Sequence, residues 1–260
     1  MGAKWVDPLW PDRYPTTPTW IEAIARSGDA RLRPAGFPAR NWTPDMLSMV
    51  ALGEFAATDW RDRLDPGPPQ NEDETNREVD YLIELAQQHR SERVEEILAQ
   101  YTDHHKYYLG LLAIRRETHP ATYLLLKIAA RVTELTMAYF KYKYNRARPY
   151  QYYPPLIPPL DTAVHPSYPN GHALFGLMKA YCIADAVPQM LEPMLRLAER
   201  IWSNAEIGGF HFPSDAAASR KIADGAMELL RGVLNYQGCE SYKRAVAAAK
   251  LEWPGIRRAI

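Results

Sequence analysis

Apolar residues recur at helical spacing along most of this chain, and proline-rich breaks separate the periodic segments. Thr43-Pro44-Asp45 combines a cap, a first-turn proline and a first-turn acid, which predicts the start of a helix. Apolar spacing over 46–55 continues this helix, and further helices are predicted over 72–99 (as one or two helices), 107–114, 120–144, 171–186, 188–208 and 213–234. Because no alternation of Val, Ile and Thr is sustained, the expected fold is all-α.

The chain divides into an irregular head and a helical body. Residues 1–45 contain seven prolines among four tryptophans, a pattern that forbids long helices and predicts a Pro/Trp-rich arm packed on the body. Residues 46–260 are predicted to form a single-domain helical bundle. Within it, the apolar segment 122–144 predicts a central buried helix, and a proline-rich loop follows over 149–169.

The amino-acid composition and charge of the chain bear on which kinds of molecule it binds and where it is found. Lys+Arg and Asp+Glu both number 31, and this neutral balance does not favour nucleic acid as a partner. The N-terminus lacks the apolar core of a signal peptide, and no run reaches the roughly 18 apolar residues of a membrane span. We therefore expect a soluble, cytoplasmic protein without a membrane span. Cys182 and Cys239 are expected to be buried, reduced thiols.

The first candidate block holds two cations. Lys141 and Arg148 are seven residues apart, close to two helical turns, and Pro149 ends the helix, so both are predicted on one face near its end. Long cationic side chains there could converge on one oxyanion. An ordinary basic helix terminus is an alternative, and Lys143 and Arg146 among tyrosines would also suit a nucleic-acid stacking surface.

The second and third blocks hold histidines. Asn170-Gly171-His172 precedes a helical run, which predicts a helix N-terminus whose N–H groups favour anions, with His172 placed to protonate a leaving oxygen. A plain Asn-Gly turn is the alternative. Asp215 follows His211 by four residues, so its carboxylate can fix the imidazole tautomer and leave the other nitrogen free to attack. A simple helix cap by Asp215 is the alternative.

The order of these blocks resembles the superfamily that joins class A bacterial acid phosphatases, type 2 phosphatidic acid phosphatases and vanadium-dependent haloperoxidases. That superfamily reads K-x-x-x-x-x-x-R-P, then P-S-G-H, then S-R or N-R followed by five residues, H, three residues and D. The matching positions are Lys141, Arg148, Pro149, Pro169, Gly171, His172, Asn204, His211 and Asp215. Asn170 stands in the serine position and Ala205 in the arginine position. The resemblance covers roughly residues 71–234 and is greatest to the soluble bacterial haloperoxidase-like branch.

The resemblance implies a role for each position. Oxyanion binding falls to Lys141, Arg148, Asn170 and Gly171, and catalysis to His172 as general acid, His211 as nucleophile and Asp215 as its orienting carboxylate. The implied activity is hydrolysis of a phosphate or diphosphate ester through a phosphohistidine, without a cofactor.

Two other functions stay open at this stage. One is a vanadium-dependent haloperoxidase with vanadate at His211, or a non-redox relative that acts on an aromatic or isoprenoid substrate. The other is a helical scaffold that binds an anion without catalysis. The expected partner is a small molecule, no metal is bound by side chains directly, and a homo-oligomer is compatible with the resemblance.

Ala205 has three explanations. It could replace a native arginine deliberately, to trap a ligand. Arg146 or Arg220 could supply the charge instead. The chain could also carry out a different reaction, which the second departure at Asn170 favours.

Overall fold

The computed structural model describes residues 42–161, 164–232 and 237–254. All regular secondary structure in these ranges is helical, which confirms the all-α prediction. The helices are α1 Pro44–Ala56, α2 Trp60–Arg63, α3 Glu72–Thr102, α4 His105–Leu112, α5 Pro120–Tyr144, α6 Pro149–Tyr152, α7 Gly171–Ala184, α8 Leu191–Ile207, α9 Pro213–Arg231 and α10 Glu240–Leu251. The predicted arm falls outside the described residues except for 42–45.

The helix starts follow local capping chemistry. Thr43 Oγ1 accepts a hydrogen bond from the Met46 backbone N–H at 3.2 Å, as its sequence position predicts. Asn71 and Glu74 form a reciprocal capping box at the start of α3. The segment predicted as one or two helices is a single helix, α3.

Two helices form the centre of the bundle. The α7 helix packs against α5, α8 and α9, while α5 also packs against α1 and α10, and α3 lies on α8. The apolar faces of α5 and α7 are buried, which confirms the predicted central helix. The C-terminal end of α5, the N-terminal end of α7 and the turn between α8 and α9 carry the three predicted blocks.

The helical argument that linked Lys141 and Arg148 is wrong. The α5 helix ends at Tyr144 because Asn145 adopts a left-handed backbone with φ 44°, a conformation that asparagine tolerates. Arg148 has extended backbone and precedes the short helix α6, which Pro149 begins. The two cations therefore reach the same region from a helix end and from a loop.

The C-terminal segment packs against α5. The α10 helix, which the sequence analysis does not predict, packs on α5. Glu252, just after α10, accepts hydrogen bonds from the backbone N–H groups of Ala121 and Thr122 at 2.7 and 2.8 Å. Its carboxylate thus satisfies donors at the N-terminus of α5.

Two further sequence expectations concern thiols and membrane spans. Cys182 and Cys239 are free, buried thiols, as expected. Among the helices that the structure describes, none combines the length and the apolarity required to cross a bilayer.

Candidate oxyanion site

His211 and Asp215 form a buried pair at the turn between α8 and α9. His211 Nδ1 lies 3.4 Å from Asp215 Oδ2, a long contact, and the Phe212 backbone N–H donates to the same oxygen at 3.0 Å. Ser167 Oγ also donates to Asp215 Oδ2. Asp215 therefore caps the start of α9 and also faces the His211 imidazole. This geometry is compatible with both interpretations of Asp215, the helix cap and the residue that orients the imidazole. His211 Nε2 is left as the ring nitrogen away from the carboxylate.

An ion-pair network holds Asp215 from behind. Arg146 Nη1 donates to Asp215 Oδ1 at 2.7 Å, and Arg146 Nη2 donates to Glu78 Oε2 at 2.9 Å. Glu78 Oε1 in turn accepts from the Ser214 backbone N–H at 2.6 Å. Burial acts to raise the pKa of Asp215, but the hydrogen bond with His211 and the charge of Arg146 outweigh it, and the pKa is lowered. Asp215 is therefore an ionised carboxylate at neutral pH.

The His211 imidazole is neutral in this environment. Burial lowers its pKa well below the ordinary value, although the hydrogen bond with Asp215 opposes the change. The positive charges of Arg148 and Lys141 lower the pKa further. A neutral imidazole with its Nδ1 side facing a carboxylate is the form required of a nitrogen nucleophile.

Lys141 lies behind the pocket wall. Its ammonium donates to the carbonyl oxygens of Pro166, Ser167 and Pro169, the last two at 3.0 and 2.8 Å. Burial, together with the charge of Arg148, lowers the Lys141 pKa to about 7. Three carbonyl acceptors match the three N–H donors of the ammonium, so its direct contact with an oxyanion stays a prediction.

Arg148 lies in the pocket wall itself. Its Nε donates to the His165 carbonyl at 3.0 Å, its Nη1 donates to the Phe210 carbonyl at 3.0 Å, and its Nη2 lies 3.1 Å from His165 Nδ1. A guanidinium has five N–H donors, so both Nη atoms keep a hydrogen that these contacts do not use. The fixed guanidinium can therefore still bind an oxyanion.

The N-terminus of α7 forms another part of the wall. Asn170 Oδ1 caps this helix by accepting from the Ala173 backbone N–H at 3.2 Å, while Asn170 Nδ2 is buried with no hydrogen-bond partner among the described residues. At Gly171 a Cβ atom would lie 2.8 Å from Met137 Sδ, so the close approach of α5 and α7 favours glycine.

His172 faces His211 across the pocket, with ring centroids 6.3 Å apart. Burial lowers the His172 pKa to about 4, and the nearby charges of Arg148 and Lys141 add to the shift. The imidazole is therefore neutral at neutral pH without a bound anion, and an opposite charge beside it would raise its pKa.

These groups surround one cavity of about 240 Å³. Its lining consists of Tyr101, His104, Met137, Arg148, His165, Gly171, His172, Phe175 and His211. The predicted residues Arg148, Gly171, His172 and His211 thus meet in one place. Lys141, Asn170 and Asp215 do not line the cavity but contact the wall from behind. No group of three His, Cys, Asp or Glu side chains suited to a metal ion occurs in the part of the chain that the structure describes.

The lining also contains polar side chains that were not predicted as site residues. Tyr101 and His104 come from the end of α3 and the turn before α4, about seventy residues before His172, and His165 comes from the proline-rich loop. The adjacent pair His104-His105 was a visible signal, but no motif spacing connects it with the blocks. Tertiary packing brings His104 to the pocket.

Ala205 lines a second, much smaller cavity of about 10 Å³ with Tyr101, His172 and Phe210 among its walls. A void of this size holds at most about one water molecule. Apolar side chains therefore pack close to Ala205, and no space of arginine size is left beside it.

The two arginines proposed to replace the missing charge lie elsewhere. Arg146 donates to Asp215 and Glu78. Arg220 is exposed and contacts Tyr181 and the Trp202 ring. Neither side chain lines the cavity beside Ala205 or the pocket of about 240 Å³ at His211.

Comparison with known proteins gives a distant similarity. No protein-family model matches the chain. The chain is similar to a non-specific acid phosphatase of Providencia stuartii, with 28% identity over 103 residues. The aligned segment is 37% of this chain and spans 41% of that relative.

Proposed function

We propose that this protein hydrolyses phosphate esters through a covalent phosphohistidine at His211. The observation that carries the proposal is the position of His211, paired with Asp215 behind it, in a cavity that His172 and Arg148 also line. The distant similarity to a non-specific acid phosphatase supports the same chemistry, and so does the motif order of the superfamily.

The arrangement supplies a role for each group in two steps. In the first, His211 Nε2 attacks phosphorus, the ester P–O bond breaks, and His172 donates a proton to the leaving oxygen. In the second, water attacks phosphorus and returns a proton to His172, and the P–N bond breaks to release phosphate. Asp215 stabilises the positive charge that develops on the His211 ring.

The negative charge of the substrate raises the pKa of the general acid, His172. A phosphate group between His172 and Arg148 places negative charge beside an imidazole whose pKa is otherwise about 4. Binding of the anion therefore raises the His172 pKa and favours the protonated form that the first step requires.

Position 205 weakens transition-state binding relative to the superfamily pattern, because the Ala205 side chain cannot donate a hydrogen bond. At position 170 an amide replaces a hydroxyl: its Oδ1 caps α7, while its Nδ2 is a buried donor without a partner among the described residues. Since the loss of one transition-state donor slows a reaction by roughly a hundredfold or more, we expect slow turnover of simple esters.

The proposal is tested by His211→Asn and assay of p-nitrophenyl phosphate hydrolysis. Removal of the nucleophile should lower kcat by roughly a thousandfold or more, to the background of the assay. His89→Asn, on α3 and not in the pocket lining, is the matched control and should keep wild-type kinetics.

The chemical state of the enzyme provides a second readout. Acid-labile, base-stable phosphate bound to wild-type protein after a rapid quench, and absent from His211→Asn, would support the phosphohistidine. Full activity of His211→Asn would contradict it. Vanadate-dependent oxidation of bromide would instead favour the haloperoxidase function, and failure to bind phosphate or vanadate in calorimetry would favour a scaffold.

A further inference from the structure

Three histidines line the pocket close to one another. The ring centroid of His172 lies 6.3 Å from that of His211 and 5.1 Å from that of His104. If His211 receives the phosphoryl group and His172 protonates the leaving oxygen, the leaving group extends toward His104. This order rests on the proposed function and places the leaving-group side of the pocket beside Phe175 and His104, whose rings are 5.4 Å apart.

Three polar atoms at and near His104 have no hydrogen-bond partner among the described residues. His104 Nε2, His105 Nε2 and the Tyr108 hydroxyl are buried and make no hydrogen bond among the described residues. Buried polar atoms are almost always hydrogen-bonded in proteins, so three unpaired atoms in neighbouring residues indicate a bound polar group or water that completes the site. His104 is the member of this set that lines the pocket.

A buried ammonium lies behind His104. Lys179 follows His172 by two turns of α7, is 1% exposed, and places its Nζ 4.4 Å from the Tyr108 ring centroid and 5.4 Å from that of Phe175. No carboxylate hydrogen-bonds to Lys179 within the described ranges, and the attraction of Asp103 is outweighed by burial, which lowers the Lys179 pKa to about 7.

The charge of Lys179 affects the pKa values of two histidines that line the pocket. After burial, it is the largest cause of the lowered pKa of His104, and it also lowers the pKa of His172. With a pKa of about 7 the Lys179 amine is only partly protonated at neutral pH, and an anion bound nearby would favour its charged form.

We propose that His104 and Lys179 form a second anion subsite, which binds a negatively charged group carried by the leaving group of the phosphate ester. His104 contacts that group, and Lys179 supplies charge from behind. A second phosphate suits the site because it lies one bridging oxygen from the reacting phosphorus and offers acceptors to an N–H at Nε2 of His104, the one unpaired atom of this set that belongs to a pocket-lining residue. The substrate class is then a diphosphate or a compound with neighbouring phosphates.

The reaction balances for the simplest such compound. With inorganic pyrophosphate, His211 Nε2 bonds to one phosphorus, the bridging P–O bond breaks, and the bridging oxygen leaves with the second phosphate after protonation by His172. Water then attacks the phosphohistidine and returns the proton to His172. One pyrophosphate and one water give two orthophosphates.

The test compares two substrates that share a phosphoryl group and differ in the leaving group. Lys179→Met keeps the length and apolar packing of the side chain but removes the charge, and should lower kcat/KM for pyrophosphate by roughly tenfold or more. For phenyl phosphate the change should stay within about threefold, because its neutral leaving group does not use the charge. His104→Gln should shift the same ratio in the same direction, and it carries the comparison if thermal melting shows that Lys179→Met does not fold.

The control is Lys143→Met, which removes an exposed lysine that likewise lies near two aromatic rings. It should change neither substrate. Equal losses on both substrates in Lys179→Met, or a wild-type preference for phenyl phosphate of roughly tenfold or more, would overturn the subsite and favour an aromatic leaving group against Tyr101 and Phe175.

Absence of turnover separates the two proposals. If wild-type protein hydrolyses neither compound, the phosphatase proposal fails and calorimetry decides the subsite. Binding of pyrophosphate that is roughly tenfold or more tighter than orthophosphate, and loses that preference in Lys179→Met, would support the subsite independently. Equal affinity for the two anions would overturn it.

Discussion

At the scale of single residues, Ala205 decides how the pocket holds an anion. The resembled superfamily has arginine at this position, but the cavity beside Ala205 measures about 10 Å³ and is walled by Tyr101 and Phe210. An arginine side chain there must displace its neighbours. Overpacking a well-filled core costs about 1–3 kcal/mol, and a buried guanidinium without an acidic partner adds to that cost.

We therefore expect Ala205→Arg to lower the melting temperature without raising the turnover of p-nitrophenyl phosphate. Ala205→Met is the matched control, because it fills similar space without charge and should destabilise the protein less, by the overpacking cost alone. A large gain in turnover from Ala205→Arg, with stability unchanged, would instead show that the pocket is built for arginine and that alanine replaces a native residue.

At the scale of elements, the bundle closes where α10 meets α5. Glu252 accepts two backbone hydrogen bonds at the N-terminus of α5 and a third from Thr122 Oγ1 at 2.6 Å. Hydrogen bonds to charged groups contribute about 1.5–3 kcal/mol, so this contact fixes the helix that carries Lys141 at its other end.

Glu252→Gln should lower the free energy of unfolding by about 1–2 kcal/mol, because the amide keeps one acceptor oxygen but loses the charge that favours the helix N-terminus. Denaturant unfolding measures this difference. Glu192→Gln, which removes an exposed ion pair with Arg196, is the control and should cost under about 0.5 kcal/mol. A similar loss in both variants would mean that the contact to α5 contributes no more than a surface pair.

Helices were predictable where the signal is local. The cap at Thr43 and the apolar periodicity of α5 and α7 are properties of neighbouring residues, and the structure confirms them. The predicted bounds 120–144 of α5 are confirmed, but the helical link from Lys141 to Arg148 was wrong, because the left-handed backbone at Asn145 ends the helix before Pro149. The α10 helix was missed. Its sequence is rich in alanine, and the high helix propensity of alanine would have indicated a helix there.

The pocket was predictable only in part. Motif spacing singled out Arg148, His172 and His211, which meet in one cavity. Tyr101 and His104 were missed because the approach of α3 and α4 to α7 is set by tertiary packing, which leaves no fixed spacing in the sequence. The unpaired atoms around His104 and the buried charge of Lys179 likewise become visible only in the structure.

At the scale of the whole molecule, a neutral chain concentrates basic groups in one buried region. Burial lowers the pKa of His104 to about 2 and those of His105 and His172 to about 4, from an ordinary value of 6.5. Between about pH 4 and 6.5 the unfolded chain therefore binds more protons than the folded protein, and the free energy of unfolding falls as the pH falls. Glu206 acts in the opposite direction, because burial raises its pKa from 4.5 to about 8 and the folded state then holds the extra proton.

The pKa values of His165 and His211 are lowered as well, so five histidines oppose one glutamate, and we expect the melting temperature to fall as the pH is lowered from 6.5 to 4.5. His104→Gln removes one of the protons taken up on unfolding and should make this dependence shallower. Glu206→Gln removes the opposing group and should make it steeper. Calorimetric melting at constant, low ionic strength measures all three profiles, and His89→Gln is a matched control outside the pocket. A wild-type melting temperature that stays constant or rises on acidification would show that these histidines are not held neutral in the folded protein.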